Sequence, residues 1–200
     1  ALQKSCNGYF IRLGQELGPE RVREMAVRLG FGRALNLADT LSTAAGQLPE
    51  AETLTSSGAF ANFCFGQGEL LATPIQIAAM INTIAVGGIW REPLFLECTL
   101  DETTGESLTA LAHRGARRVF SAQTARALRE LLASVVTEGT GHEAAPTEGT
   151  AAGKTGTAQT GHVAAGKELK NYWFAGFYPA RNPRYTIVVL QDGQTGPSRT

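Results

Sequence analysis

Gly153-Lys154-Thr155-Gly156-Thr157, inside the longer run 152–159, narrows most what this chain can fold into. It gathers an ammonium, two hydroxyls and two backbone positions without side chains. Two architectures use such a cluster. In one, a loop between a buried strand and a helix cradles a phosphate with backbone N–H groups and a lysine. In the other, an edge strand displays Lys-Thr-Gly, so that its backbone docks an extended substrate while the lysine meets an anionic group. The phosphate loop fails on spacing: it needs four residues between its first Gly and Gly-Lys-Thr, but Gly149 leaves three and Glu148 stands where the Gly is wanted. It fails on context too. The stretch 143–149 is polar and contains Pro146, and 156–161 is too rich in Gly and Thr to begin a helix. The edge strand is the expectation that survives.

The surrounding pattern suits a helical region followed by a small sheet. Phe10, Leu13 and Leu17 share one helical face, and Gly18 ends that run. Pro19 fits a first helical position, and Val22, Met25, Ala26 and Leu29 recur at core-facing spacing. Residues 32–62 read as loops with short helical turns. Thr73-Pro74 caps a helix to about Val86 that is apolar almost all round and is expected to lie deep. Leu94, Leu96, Cys98 and Leu100 alternate as in a strand, with the turn of a hairpin at 101–105. Ser121 caps a helix to about Thr137 with Ala125, Leu128, Leu132 and Val135 inward. After a stretch without periodicity at 138–149 come strand candidates at 150–158, 172–178 and 184–191, close enough to form an antiparallel meander.

Near the start, Ser5-Cys6-Asn7 is a Ser-x-Asn triplet. Taken alone it is an ordinary helix cap. Followed by Lys154-Thr155-Gly156-Thr157, it resembles the transpeptidase domain of class B penicillin-binding proteins. The resemblance runs on through Gly66-Gln67-Gly68 and Thr73-Pro74-Ile75-Gln76, through Gly139-Thr140-Gly141, and through Tyr172-Trp173-Phe174-Ala175-Gly176. It covers most of residues 5–190 with its landmarks in the family's order.

The resemblance implies an α/β (α+β) fold of the penicillin-binding protein and serine β-lactamase type. This would be a helical region plus antiparallel sheet, incomplete in this fragment: residues 1–149 mainly helical with a hairpin near 89–110, and 150–191 holding the sheet strands. It implies serine D,D-transpeptidase chemistry on peptidoglycan stem peptides, inhibition by β-lactam antibiotics, and a parent protein anchored at the extracytoplasmic face of the membrane. Ser5 would relay a proton, Asn7 would hold the nucleophile's lysine and the substrate amide, and Lys154 would face the substrate carboxylate. Thr155 and Thr157 would hydrogen-bond that carboxylate, Gly156 would leave the strand bare for a docked peptide, and the Thr157 N–H would serve as an oxyanion donor. For Trp173 and Phe174, plain core packing is the expectation.

One departure is large. No Ser in the chain is followed three positions later by Lys, so the Ser-x-x-Lys nucleophile expected of the family is missing. The chain opens at Ala1 already beside a motif, and it is expected to be a fragment that cannot acylate alone. Two other readings share the residues: a β-lactamase or β-lactam-sensing domain of the same fold, and a non-catalytic cell-wall scaffold.

Composition limits the partners. Lys plus Arg and Asp plus Glu each number 18, giving no net charge and no footprint for nucleic acid. No cofactor motif survives the spacing test. His113, His142 and His162 are too scattered to suggest a metal site, and Cys6, Cys64 and Cys98 read as reduced, mostly buried thiols. With 43% hydrophobic residues in 200, one sizeable core needs no staple. A sheet lacking neighbours would expose an edge, which invites an edge-paired or swapped homodimer.

Overall fold

The computed structural model describes residues 1–38, 40–96, 98–110 and 115–195; His113, Glu97 and the terminal 196–200 lie outside these. A 3-10 turn at Leu2–Lys4 precedes α1 (Asn7–Leu17) and α2 (Pro19–Arg28), with Gly18 at φ 86° ending one helix and Pro19 starting the next. The apolar stripes on these helices are only partly interior. Val22 and Ala26 pack on a cluster of Leu54, Phe60 and Phe63, and Leu29 packs on Leu35 and Trp90. Leu17 and Met25 nevertheless remain 45% and 36% exposed. The two helices cover small satellite clusters, and their outer flank has no cover among the described residues.

Residues 32–62 hold more regular structure than expected. A short hairpin pairs β1 (Asn36–Ala38) with β2 (Leu41–Ser42), and α3 (Ser57–Phe63) buries Phe60 and Phe63. Seven residues make too short a helix for periodicity to announce.

Next comes α4 (Pro74–Ala85), where Thr73-Pro74-Ile75-Gln76 forms a capping box. The Gln76 side chain is fully buried and does more than cap. Its Oε1 accepts from the Thr73 N–H at 2.8 Å, and its Nε2 donates to the carbonyls of Gly30, Arg33 and Ala45 at 3.3, 3.0 and 2.9 Å. One side chain thereby ties α4 to the loop after α2 and to the loop after β2.

Four short strands follow: β3 (Ile89–Trp90), β4 (Cys98–Leu100), β5 (Ser107–Ala110) and β6 (Arg117–Arg118), paired β3 with β6 and β4 with β5. The strand expected over 94–100 begins only at Cys98. Asp101 builds the foreseen turn by accepting the N–H groups of Thr103 and Thr104 at 2.8 Å each. Alternation misled here because nothing among the described residues covers this stretch: Phe95 is 67% and Leu100 58% exposed. The thiols also depart from expectation, since Cys6 is exposed and Cys64 and Cys98 are half-buried, all three free.

Ser121 Oγ accepts the Thr124 N–H at 3.0 Å and starts α5 (Ala122–Glu138), which buries Ala125, Leu132 and Val135. The chain then forms β7 (Ala152–Ala164), β8 (Lys167–Tyr178) and β9 (Tyr185–Gln194), an antiparallel sheet in the order β7-β8-β9. β7 and β8 outrun their expected ends because the hairpin continues, past a bulge, to a two-residue turn. Both turn residues, Ala165 and Gly166, have positive φ (51° and 74°). Ile81 and Ala85 of α4, Leu132 of α5, and Ala152, Ala175 and Phe177 of the sheet make the main core. The helices thus cover one sheet face, and β7 is left as an edge strand on the side of the Ser-x-Asn turn. A Cβ at Gly153 would fall 2.5 Å from the Phe174 ring, so the glycine before Lys154 is fixed by close packing across the register pair Gly153–Gly176.

Candidate active site

Ser5 sits where the 3-10 turn passes into α1, with φ 51° and ψ 45°. That left-handed backbone costs a non-glycine residue about 1–2 kcal/mol, so the surroundings must hold it. They do so from the end of α5. Gln3 Nε2 donates to Glu138 Oε2 at 3.1 Å, Lys4 Nζ to the Glu138 carbonyl at 3.4 Å, and the Thr140 N–H to the Gln3 carbonyl at 3.2 Å. A lysine at a helix C-terminus also meets the negative end of the helix dipole.

The held turn faces β7. Lys154 Nζ donates to Ser5 Oγ, and to the Thr155 carbonyl at 2.8 Å. Thr140 Oγ1 lies 3.3 Å from both Ser5 Oγ and Thr155 Oγ1, linking the two motifs through a third hydroxyl. Lys154 is half-buried, and loss of hydration there pushes its ammonium below the usual lysine range. No carboxylate pairs with it among the described residues, so its charge is available to an anionic ligand.

These groups line a cavity of about 520 Å³, with Ser5, Thr140 and Lys154–Thr157 on its polar side and Phe10 and Phe65 as apolar walls. Asn7 also lines it, and its side chain makes no hydrogen bond to another described residue. Helix capping, the alternative role for Ser5 and Asn7, is not what these side chains do. The N-cap of α1 is Cys6, without a side-chain cap bond.

The direction of the strand groups follows from the register. In an antiparallel ladder the N–H and C=O of one residue point the same way, and neighbours alternate. The Thr157 carbonyl accepts from Gln67 Nε2 at 2.8 Å and the Gln159 N–H reaches Gln67 Oε1 at 3.4 Å, both away from β8. Thr155 and Thr157 therefore turn their N–H groups to the open edge as well. An ammonium, four hydroxyl-bearing residues, the Asn7 amide and edge N–H groups converge on one hollow. Charge-assisted donors of this kind are the chemistry that suits a carboxylate or an oxyanion.

All six sequence-predicted positions, Ser5, Asn7, Lys154, Thr155, Gly156 and Thr157, line this cavity. Trp173 and Phe174 do not. Phe174 is buried over Gly153, as core packing requires. Sequence reading gave no role to Thr140 or Gln67. The signal was present: each is a polar residue between two glycines, in Gly139-Thr140-Gly141 and Gly66-Gln67-Gly68. Gly66 and Gly68 have φ of 79° and 78°, and that doubly left-handed bend is what presents Gln67 to the strand edge.

Residues 1–200 match the family described as the penicillin binding protein transpeptidase domain. The chain is 37% identical to penicillin-binding protein PbpB of Mycolicibacterium smegmatis over 94% of its own length and 30% of that protein. It is 30% identical to the peptidoglycan D,D-transpeptidase PbpA of the same organism, over 96% of this chain and 38% of the relative. Among solved structures, penicillin binding protein 3 of Mycobacterium tuberculosis complexed with ampicillin superposes with a TM-score of 0.85 at 33% identity, covering 96% of this chain and 44% of that one. The chain thus spans about a third of the curated relatives it matches, and it belongs to the penicillin-binding protein transpeptidase domain family.

Proposed function

We propose that this chain forms the C-terminal portion of a penicillin-binding transpeptidase domain and supplies two facing sides of its active-site groove. The parent enzyme cross-links peptidoglycan stem peptides through a serine acyl-enzyme on the extracytoplasmic side of the membrane. The observation that carries this reading is the contact of Lys154 Nζ with Ser5 Oγ across the groove, 149 positions apart in sequence. Family relatives bear transpeptidase names, and a structural neighbour holds ampicillin.

The 200 residues contain no Ser-x-x-Lys, so the acylating serine comes from sequence outside them. That hydroxyl attacks the carbonyl of the stem peptide's penultimate residue, giving up its proton to the adjacent lysine. The oxygen of the tetrahedral intermediate takes a hydrogen bond from the Thr157 N–H. When the C–N bond breaks, the proton passes through the Ser5 hydroxyl to the leaving amine. Asn7 holds the nucleophile's lysine and the substrate amide. Lys154, Thr155 and Thr157 bind the terminal carboxylate, and bare Gly156 lets the peptide lie along β7. The amine of a second stem peptide then attacks the ester and restores the serine.

Full-length protein incubated with a fluorescent penicillin should carry a stable adduct on a serine outside this chain. Fast release of hydrolysed drug would support a β-lactamase, and no adduct would support a scaffold. The same Lys154–Ser5 contact favours a second reading, in which Ser5 is itself the nucleophile of a Ser–Lys pair. An adduct mapped to Ser5 would establish that reading.

A further inference from the structure

The groove beside Lys154 does not end at Thr157. A second hollow of about 540 Å³ continues along β7, lined by Asn62, Gln159, Thr160, Glu168 and Lys170. Asn7, Phe65, Gln67 and Thr157 border both hollows, and Gln67 crosses the line between them to reach the strand. Its primary amide supplies one donor and one acceptor, the pair that a neighbouring strand would present to β7. With Lys154 Nζ on the Thr155 carbonyl, the outward carbonyls of Thr155 and Thr157 are each met by a side chain. Their N–H groups still face the groove.

The geometry points to Gln67 as a stand-in for substrate: its amide closes the β7 edge at Thr157, and an extended peptide enters by replacing it with a backbone N–H of its own. This inference rests on the transpeptidase reading of the groove and makes Gln67 a specificity-determining residue. A ligand carrying an amide N–H in register with the Thr157 carbonyl exchanges one hydrogen bond for another. A ligand without one gains nothing by displacing Gln67 and binds beside it, leaving the Gln67–Thr157 bond in place. The exchange is feasible because Gln67 is only half-buried, its acceptor bond is long at 3.4 Å, and its two flanking glycines leave the loop free to swing. The peptide that opens the edge then runs on toward Glu168 and Lys170, which sets a preference for ligands longer than the reacting dipeptide.

The test uses full-length protein and compares acylation rates with two drugs. Benzylpenicillin carries an exocyclic amide N–H, and imipenem has a hydroxyethyl group in its place. Gln67→Ala removes the competitor. The benzylpenicillin-to-imipenem rate ratio should rise about two- to tenfold, the range of one net hydrogen bond. Gln67→Glu keeps the acceptor for Gln159 but cannot donate to Thr157, so the ratio should rise here too with the loop's packing intact. An unchanged or lower ratio in both variants would overturn the proposal while leaving the transpeptidase reading standing. If neither drug acylates the unaltered full-length protein, that reading fails and takes this one with it.

Discussion

Two glutamines nine positions apart show how differently this chain uses the same side chain. Gln76 is wholly buried, and its amide bonds to Thr73, Gly30, Arg33 and Ala45. Gln67 sits at the groove with one good bond and one long one. The first is a knot, because a buried polar atom stripped of its partner costs about 1–3 kcal/mol. The second is a latch, because water or ligand can replace its partners at little cost. Where the fold must be permanent the polar groups are sealed, and where a ligand must enter they stay exchangeable.

The largest effect should come from breaking the knot. Gln76→Ala leaves three carbonyls without their donor, and denaturant unfolding of the full-length domain should show a loss of about 3–5 kcal/mol. Gln67→Ala should cost less than about 1 kcal/mol by the same measurement. Equal losses would erase the distinction between the two.

Lys154→Ala should act the opposite way to Gln76→Ala. Acylation by benzylpenicillin should fall about 10²–10³-fold, the scale for removing a charge-bearing group from such a site. Stability should hold or improve at neutral pH, because burial of Lys154 works against folding. The sign follows from its lowered pKa: the unfolded chain holds this proton more tightly than the folded one. The penalty is therefore fully present below the folded pKa and is relieved as pH rises toward the ordinary lysine value.

That shift sets a third outcome. If the carboxylate needs the ammonium, acylation should decline on the alkaline side at a pH below the usual lysine pKa of about 10.4. Lys154→Arg should remove that limb of the profile, and a limb that persists would assign it to another group. Smaller still is Ser5→Gly. Releasing the left-handed backbone should add up to about 1 kcal/mol of stability while lowering acylation, strain exchanged for lost chemistry.

Legibility in the sequence followed the same division. The sheet, α4 and α5 could be read because Thr73, Ser121 and the β-branched run at Thr186–Val189 act locally. The six groove residues were found through spaced motifs, although nothing local says that Lys154 and Ser5 touch. The 94–100 stretch and the outer flank of α1 and α2 misled, because apolar spacing says what a face is suited to pack and not whether a partner layer is present. Gln67 and Thr140 escaped because their role depends on loop backbones bent by flanking glycines, which periodicity does not register.

A double-mutant cycle on Ser5 and Lys154 in the full-length protein, read as the second-order rate of benzylpenicillin acylation, tests whether these distant residues act as one unit. If they do, the double alanine variant should be slower than the worse single variant by no more than about threefold. Losses that multiply would mean that the two side chains work independently, and that the groove joining them is not the site of the chemistry.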